Sequence, residues 1–380
     1  MLYNDFKGLK VSALGFGAMR LPVIAENPNK PNPEATQQLV NMCMKAGVNY
    51  YDTAWGYHGG KSQVVLADCL RRYDRDQYFL ANKFPGYDLS NMPLAKEIFE
   101  QQLKLCDVDY FDFYLIHNVC ELNIDHYLDP KYGIKDYFVR MRDEGKIKHL
   151  GFSLHGSMDV LKRFDEAYGD AMEFAQLQLN YLDWDFQDAK ASVEYCRERG
   201  WPIIVMEPLR GGRLARLTLP QEKKLKEATG AKREPVEWAF NFLQSIPGIL
   251  TTLTGMSNGM QCLEKLKYYE NPRPLDEKEM EAVIALGHEL SSANTLPCTS
   301  CKYCMPKCPK KLDIPELIAR YNEMLYNDDP MEFRTHMAMD ATPKDKWPSA
   351  CIGCGQCAKV CPQQIDIPGA MEGFAKKLGA

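Results

Sequence analysis

The chain has 380 residues, of which 45% are hydrophobic and 26% are charged, and its formal net charge is −5 at pH 7. This composition excludes a mostly disordered or fibrous protein, and there is no basic stripe of the kind that binds nucleic acid. No apolar stretch approaches the roughly 18–20 residues that span a bilayer, and the first residues do not resemble a signal peptide, so we expect a cytoplasmic protein without a membrane span.

Over about the first 270 residues, short β-rich runs alternate with stretches in which apolar residues recur at helical spacing. The predicted strands are 11–17, 48–52, 78–83, 112–116, 149–153, 175–179, 203–207 and 250–255. The predicted helices include 34–46, 62–72, 94–106, 134–144 and 235–244. Eight strands that are each followed by a helix predict a (β/α)₈ TIM barrel. A doubly wound open sheet is the alternative, but no third glycine follows Gly15 and Gly17, so the dinucleotide fingerprint is absent.

The last hundred residues differ in character from the barrel. A proline-bearing stretch at 271–274 and a predicted helix at 277–290 lead into a cysteine-rich tail. This tail contains a repeat, because 308–315 (CPKKLDIP) and 361–368 (CPQQIDIP) share five identical positions. We therefore expect a barrel domain over 1–275, then a helical linker and a small domain over 276–380.

Eight of the 14 cysteines lie between residues 298 and 361, in two runs of the form C-x₂-C-x₂-C-x₃-C-P. This spacing resembles that of bacterial two-cluster ferredoxins, in which the fourth cysteine of each run ligates the other run's [4Fe–4S] cluster. A zinc site would need only four ligands in all. The resemblance thus implies a C-terminal ferredoxin-like iron–sulfur domain with one cluster on Cys298, Cys301, Cys304 and Cys361, and another on Cys308, Cys351, Cys354 and Cys357.

Polar side chains follow the predicted barrel strands at their carboxyl ends, where TIM barrels carry out their chemistry. Asp52, Lys83 and His117 end three consecutive strands, and Tyr57 lies on the loop after the first of them. We expect these four side chains to converge at one mouth of the barrel.

These residues belong to segments that resemble the motifs of aldo/keto reductases. Residues 52–57 (DTAWGY) resemble the family's D-T-A-x-x-Y signature, and 115–117 (LIH) resemble its strand-4 histidine motif. Further similar segments are 81–83 (ANK), 151–153 (GFS), 178–181 (QLNY) and 208–209 (PL). The resemblance covers about residues 9–270, and it is close to a branch in which the barrel is fused to a two-cluster module.

The resemblance implies an oxidoreductase that interconverts a small-molecule carbonyl and an alcohol, with Tyr57, Asp52, Lys83 and His117 as its catalytic tetrad. Tyr57 would donate the proton, and the neighbouring Lys83 is expected to lower its pKa from about 10. Asp52 would keep Lys83 charged and oriented. His117 would donate a hydrogen bond to the developing alkoxide.

The resemblance also implies a nicotinamide cofactor, NAD(P)H, whose carboxamide would contact Ser153, Gln178 and Asn180. Met206 stands where many members have a stacking tyrosine, and the 255–261 stretch lacks their phosphate-gripping basic pair. The remaining candidate cofactor contacts lie on the loops after the seventh and eighth strands: Pro208, Leu209, Arg210, Gly212, Arg213, Ser257 and Gln261.

A nicotinamide moves two electrons together, whereas each cluster passes one, so coupling between them calls for a mediator such as a flavin. One alternative is therefore an electron-transfer flavoprotein with FMN at the barrel mouth, held by the 211–212 and 257–259 turns. A second alternative is a non-catalytic redox-sensing subunit. A redox partner protein would join the small-molecule substrate as a binding partner in the electron-transfer case.

Overall fold

The computed structural model describes residues 1–25, 27, 29–292, 295–299, 301–325, 335–336, 338–340 and 342–379. Its strands are β1 (Tyr3–Phe6), β2 (Leu9–Ser12), β3 (Leu14–Gly17), β4 (Tyr50–Asp52), β5 (Phe79–Phe84), β6 (Phe111–Val119), β7 (Ile147–Leu154), β8 (Ala175–Gln178), β9 (Ile203–Met206) and β10 (Ile249–Thr254). The helices around them are Pro33–Lys45, Ser62–Leu70, Ala95–Cys106, Ile124–Leu128, Ile134–Asp143, Met158–Tyr168, Asp183–Phe186, Ala189–Glu198, Leu219–Thr229, Pro235–Gln244, Gly259–Glu270 and Glu277–Ser292. Two more helices, Ile314–Leu325 and Ile367–Leu378, belong to the cysteine-rich tail.

Strands β3 to β10 are parallel and close into a barrel in which β10 pairs with β3, which confirms the predicted TIM barrel. The prediction of a single first strand over 11–17 is wrong, because this segment forms two strands, β2 and β3. It divides near Ala13 because β2 pairs antiparallel with β1, while β3 enters the barrel. The resulting hairpin packs Phe6 and Val11 against the apolar residues inside the barrel. It thereby closes the lower end of the barrel, which is the end at which the parallel strands begin.

The alternation of side chains along each strand explains why polar side chains meet at the upper end of the barrel, where the parallel strands end. Tyr50, Ala81 and Leu115 lie in the inner apolar cluster. Asp52, Lys83 and His117 each follow one of these residues by two positions, and residues two apart in a strand share a face. The same inward face is therefore apolar below and polar at the mouth.

The helix Glu277–Ser292 belongs to the barrel's hydrophobic core, through Val283, Leu286 and Leu290. Its backbone comes so close to the loop after β8 that a Cβ atom on Gly287 would lie 2.3 Å from the carbonyl oxygen of Tyr181. We propose that the barrel unit extends through this helix, instead of ending at residue 275.

The cysteine-rich tail has its own apolar core between its two helices, which includes Ile318, Met371 and Phe374. The repeated Asp-Ile-Pro sequence begins both helices. Asp366 accepts a hydrogen bond from the Gly369 N–H, and Asp313 accepts one from the Glu316 N–H. Because Asp caps exposed helix N–H groups and Pro suits the first turn, the sequence repeat is a repeat of helix starts.

Among the described residues, no helix has both the length and the apolar character needed to cross a membrane.

Gly287→Ala tests the attachment of the Glu277–Ser292 helix. Alanine favours a helix over glycine by about 1 kcal/mol, but the backbone oxygen of Tyr181 cannot move aside cheaply, so we expect a net loss of about 1–3 kcal/mol in the free energy of unfolding. Urea unfolding of the anaerobically purified protein, followed by circular dichroism, measures this loss. Gly259→Ala is the matched control, because the nearest atom to its Cβ position is 3.8 Å away. Equal midpoints for the two variants would contradict the close approach.

Candidate active site

A buried ion pair lies at the upper end of the barrel interior. Lys83 Nζ is 2.5 Å from Asp52 Oδ1 and also donates to the carbonyl oxygen of Thr53 at 2.8 Å. The Lys83 side chain is 0% exposed, and Gln176, from β8 on the opposite side of the barrel, donates to the other oxygen of Asp52 at 3.3 Å. Burial lowers the pKa of Lys83 and raises that of Asp52, while the attraction between the two opposes both shifts. Every hydrogen bond around the pair therefore helps to keep it charged.

Tyr57 lies above this pair, with Lys83 Nζ 5.2 Å from the centre of its ring. The ring meets that of His117 edge-on at 6.2 Å. Burial, followed by the negative charge of Asp52, raises the pKa of Tyr57 well above 10. The expectation that Lys83 lowers this pKa is not met, because desolvation and Asp52 act in the opposite direction. The phenol is therefore protonated at neutral pH.

His117 ends the inward face of β6 and is 3% exposed. Burial, with a further contribution from the positive charge of Lys83, lowers its pKa well below 6.5. The imidazole is thus neutral at physiological pH. Among the described residues its Nδ1 has no hydrogen-bond partner, whereas Nε2 faces the mouth.

The three residues expected to contact a nicotinamide carboxamide lie on and after β7 and β8. Ser153 Oγ accepts a hydrogen bond from the Asn118 N–H at 2.8 Å. The side-chain amides of Gln178 and Asn180 both donate to Asp183 Oδ2, at 2.8 and 2.7 Å. The structure therefore places all three at the mouth, and it fixes two of them through one buried carboxylate.

The loop after β9 differs from the arrangement expected from the sequence. Arg210 is 2% exposed and its Nε lies 2.8 Å from Asp183 Oδ1, so it is neither a solvated charge nor available to a phosphate. Arg213 donates to the carbonyl oxygen of Leu290 at 2.9 Å, and burial lowers its pKa to about 10. Both guanidinium groups hold the polypeptide together, and we do not retain them as cofactor ligands.

The other candidates from the two upper loops surround the same edge of the mouth. Met206 is half-buried at the end of β9, followed by Glu207, Pro208 and Leu209. Glu207 has a positive φ of 56° and accepts a hydrogen bond from the Gly211 N–H at 2.7 Å. Burial raises the pKa of Glu207, while Arg20, 3.9 Å away, opposes that change.

Ser257 and Gly212 are exposed, and Gln261 is half-buried. Ser257 donates its N–H to Gln261 Oε1 at 2.9 Å, in the capped turn that begins the Gly259–Glu270 helix. Gly212 has a φ of +99° and nothing within 4 Å of its Cβ position. Its backbone is thus accessible from outside.

The cysteines of the tail approach one another in two places. Cys308 lines one cavity together with Cys351, Cys354 and Cys357. The other group is closer to the barrel.

At the second place, the Cys304 sulfur interacts electrostatically with those of Cys298, Cys301 and Cys361, and also with that of Cys357. Burial raises the pKa of Cys301 to about 12, so this sulfur is a thiol at neutral pH unless a metal binds it as a thiolate. Three thiols from one run and one from the other are the ligand set that each [4Fe–4S] cluster takes in two-cluster ferredoxins.

Sequence reasoning missed the aromatic residues that cover the mouth. The Tyr87 ring meets His117 edge-on at 5.2 Å, and Tyr303 stacks on Tyr87 at 4.8 Å with 19° between the ring planes. Tyr303 lies between Cys301 and Cys304, so the tail contributes directly to the mouth. No motif marks either tyrosine, and only the fold brings them together.

Comparisons with known proteins agree with this geometry. The family model described as the Aldo/keto reductase family matches residues 13–287, and that of a 4Fe-4S dicluster domain matches residues 297–365.

Individual relatives are distant. The probable aldo-keto reductase 1 of Glycine max is 24% identical over 258 residues, which cover 64% of this chain and 70% of the relative. L-galactose dehydrogenase of Arabidopsis thaliana is 25% identical over 282 residues, covering 68% and 84%. The structure of an aldo-keto reductase from Bacillus halodurans has a TM-score of 0.60 at 22% identity, covers 75% of this chain and 95% of its own, and shows the shared fold.

Lys83→Met tests the buried ion pair. The substitution leaves Asp52 buried without a counter-charge, which we expect to cost about 3–5 kcal/mol in the free energy of unfolding. Adding Asp52→Asn removes the orphaned charge, so the double variant should recover part of that loss. Urea unfolding of the two single variants and the double variant measures the coupling. Strictly additive losses would contradict a direct pair.

Proposed function

The chain belongs to the aldo/keto reductase family and is therefore an oxidoreductase, and from that premise we propose that it interconverts a small-molecule carbonyl and its alcohol at the mouth of the barrel. The observation that carries the proposal is the convergence of Tyr57, Lys83, Asp52 and His117 at one end of the barrel interior. A purely regulatory subunit has no need of all four groups. We therefore favour an enzyme over a non-catalytic redox-sensing subunit.

Tyr57 is the proposed proton donor. Its raised pKa keeps the hydroxyl proton in place until a developing alkoxide, a much stronger base than water, accepts it. The resulting phenolate would form beside the Lys83 ammonium, which offsets the new negative charge. Asp52 in turn keeps that ammonium charged in its buried position.

His117 is the proposed hydrogen-bond donor to the substrate oxygen. A neutral imidazole carries one N–H, and Nε2 is the nitrogen that faces the mouth. A neutral donor stabilises the developing alkoxide without competing with Tyr57 for the role of acid. The two residues thus have different tasks at the same oxygen atom.

The residues at the mouth fit a nicotinamide. Ser153 offers a hydroxyl to a carboxamide, and the buried Asn118 Oδ1 beside it has no partner among the described residues. The amides of Gln178 and Asn180 donate to Asp183, so they would exchange a protein hydrogen bond for one to the carboxamide. When bound there, the nicotinamide supplies or accepts a hydride. Because residues 255–261 include no Lys or Arg, we propose little discrimination between NADH and NADPH.

The crossed cysteine groups would hold two [4Fe–4S] clusters, which supply one-electron transfer when present. The flavin alternative has only the 211–212 and 257–259 turns in its favour, and we do not carry it forward. A redox partner protein and a cytoplasmic location both stay predictions.

Tyr57→Phe tests the proton donor. The substitution keeps the ring and removes the hydroxyl, so single-turnover reduction of an aldehyde found by screening should slow by about 10²–10⁴. Cofactor affinity and iron content should stay at the wild-type level. Tyr137→Phe, on the outer helix Ile134–Asp143, is the control and should have wild-type activity. If Tyr57→Phe retained most of the activity, Tyr57 would not be the proton donor, and the chain would share only the fold of the family and not its mechanism.

Cys308→Ser tests the crossed ligands. We expect about eight iron atoms in the anaerobically purified wild-type chain, and damage in the variant to the cluster held by Cys351, Cys354 and Cys357. Iron analysis and electron paramagnetic resonance of the reduced protein measure both effects. Cys196→Ser, in the barrel, should leave the iron content unchanged. Zinc in place of iron, or damage to the cluster of the Cys298 run, would overturn the assignment.

A further inference from the structure

Tyr303 belongs to the cysteine-rich tail, yet its hydroxyl lies 3.4 Å from His117 Nε2. This is the imidazole nitrogen that faces the mouth and that we assign to the substrate oxygen. A hydroxyl at this point interacts with His117 in the way that a substrate's oxygen would. The distance is at the long end of the hydrogen-bond range, so the interaction is weak enough to be replaced.

Three aromatic side chains form a continuous set around this contact. Tyr303 is stacked on Tyr87 at 4.8 Å, and Tyr87 meets the edge of His117 at 5.2 Å. Tyr303 thus covers the mouth directly above the proposed catalytic groups.

The polypeptide around Tyr303 is attached to the barrel on both sides. Arg20 donates to the carbonyl oxygen of Thr299 at 3.1 Å, and Lys307 lies 3.8 Å from Asp88. Arg210 reaches the carbonyl oxygen of Pro297 at 3.5 Å. With its backbone held in this way, Tyr303 can leave the mouth most readily by rotation of its own side chain.

We propose that Tyr303 is a specificity-determining residue, which occupies the substrate-oxygen position of the barrel and must turn away when the substrate binds. The proposal rests on the proposed function of the barrel. It predicts that carbonyl substrates compete with the phenol of Tyr303 for His117, and that the space Tyr303 vacates accepts a planar, phenol-sized group next to Tyr87.

Tyr303→Phe tests the competition. The ring stays on Tyr87 while the competing hydroxyl is removed, so we expect KM for the aldehyde substrate to fall about threefold to tenfold, as the loss of one neutral hydrogen bond implies, with kcat unchanged. Tyr321→Phe is the control, because Tyr321 lies in the same tail and stacks on Phe374, away from the barrel. Iron content should match the wild type in both. An unchanged or higher KM in Tyr303→Phe would overturn the proposal.

Tyr303→Ala tests the vacated space without any need for activity. Isothermal titration with phenol should show binding to this variant and none to the wild type or to Tyr321→Ala. If Tyr303→Ala binds phenol while no carbonyl is reduced by the wild type, the barrel chemistry fails and the placement of Tyr303 stands. If Tyr303→Ala retains its iron and takes up no phenol, the placement itself is wrong. Loss of iron in Tyr303→Ala leaves the KM comparison in Tyr303→Phe to decide.

Discussion

The ion pair between Lys83 and Asp52 is the constraint on which the rest of the mouth depends. Both groups lie on the inward face of barrel strands and are almost fully buried, so their charges are costly to keep there. The structure meets this cost with the carbonyl oxygen of Thr53 and the amide of Gln176. Once the pair is held there, its charges act on the two groups above it: Asp52 helps to raise the pKa of Tyr57, and Lys83 helps to lower that of His117. The protonated phenol and the neutral imidazole follow first from burial, and the charges of the pair add to both shifts.

The cysteine-rich tail contributes residues to the mouth of the barrel, so the two parts of the chain form one site. The backbone before Cys301 is held by Arg20 and Arg210, and Tyr303 reaches His117. The second cysteine run reaches the mouth as well, through a hydrogen bond from Gln363 to Gln178 at 3.3 Å. Cys301, one of the cysteines that would hold the first cluster, thus interacts electrostatically with Tyr57, whereas Cys354 of the second cluster is exposed. The proposed first cluster site therefore faces the barrel mouth, and the proposed second cluster site includes a cysteine that is exposed to solvent.

The sequence predicted what depends on local pattern. Alternating strands and helices indicated the barrel, and the spacing of the cysteines indicated two crossed groups; both follow from residues that are close in the chain or in repeats. It could not predict the β1–β2 hairpin, whose pairing depends on the closed lower end of the barrel, or the attachment of the Glu277–Ser292 helix. Arg210 shows the limit for single residues: an arginine beside two glycines looks like a surface charge until Asp183, 27 residues away, is found 2.8 Å from it. Tyr303 and Tyr87 are 216 residues apart in the chain, and their contact is visible only in three dimensions.

The central claim is that the Tyr57 hydroxyl gives its proton to a carbonyl oxygen held at His117. The most direct measurement is single-turnover reduction of a substrate aldehyde in mixtures of H₂O and D₂O, with wild type and Tyr57→Phe compared. The account predicts slower reduction in D₂O, with a rate that falls linearly with the deuterium fraction because one proton moves, and no such dependence in the residual rate of the variant. A wild-type rate that is independent of deuterium, or the same dependence in both proteins, would contradict it.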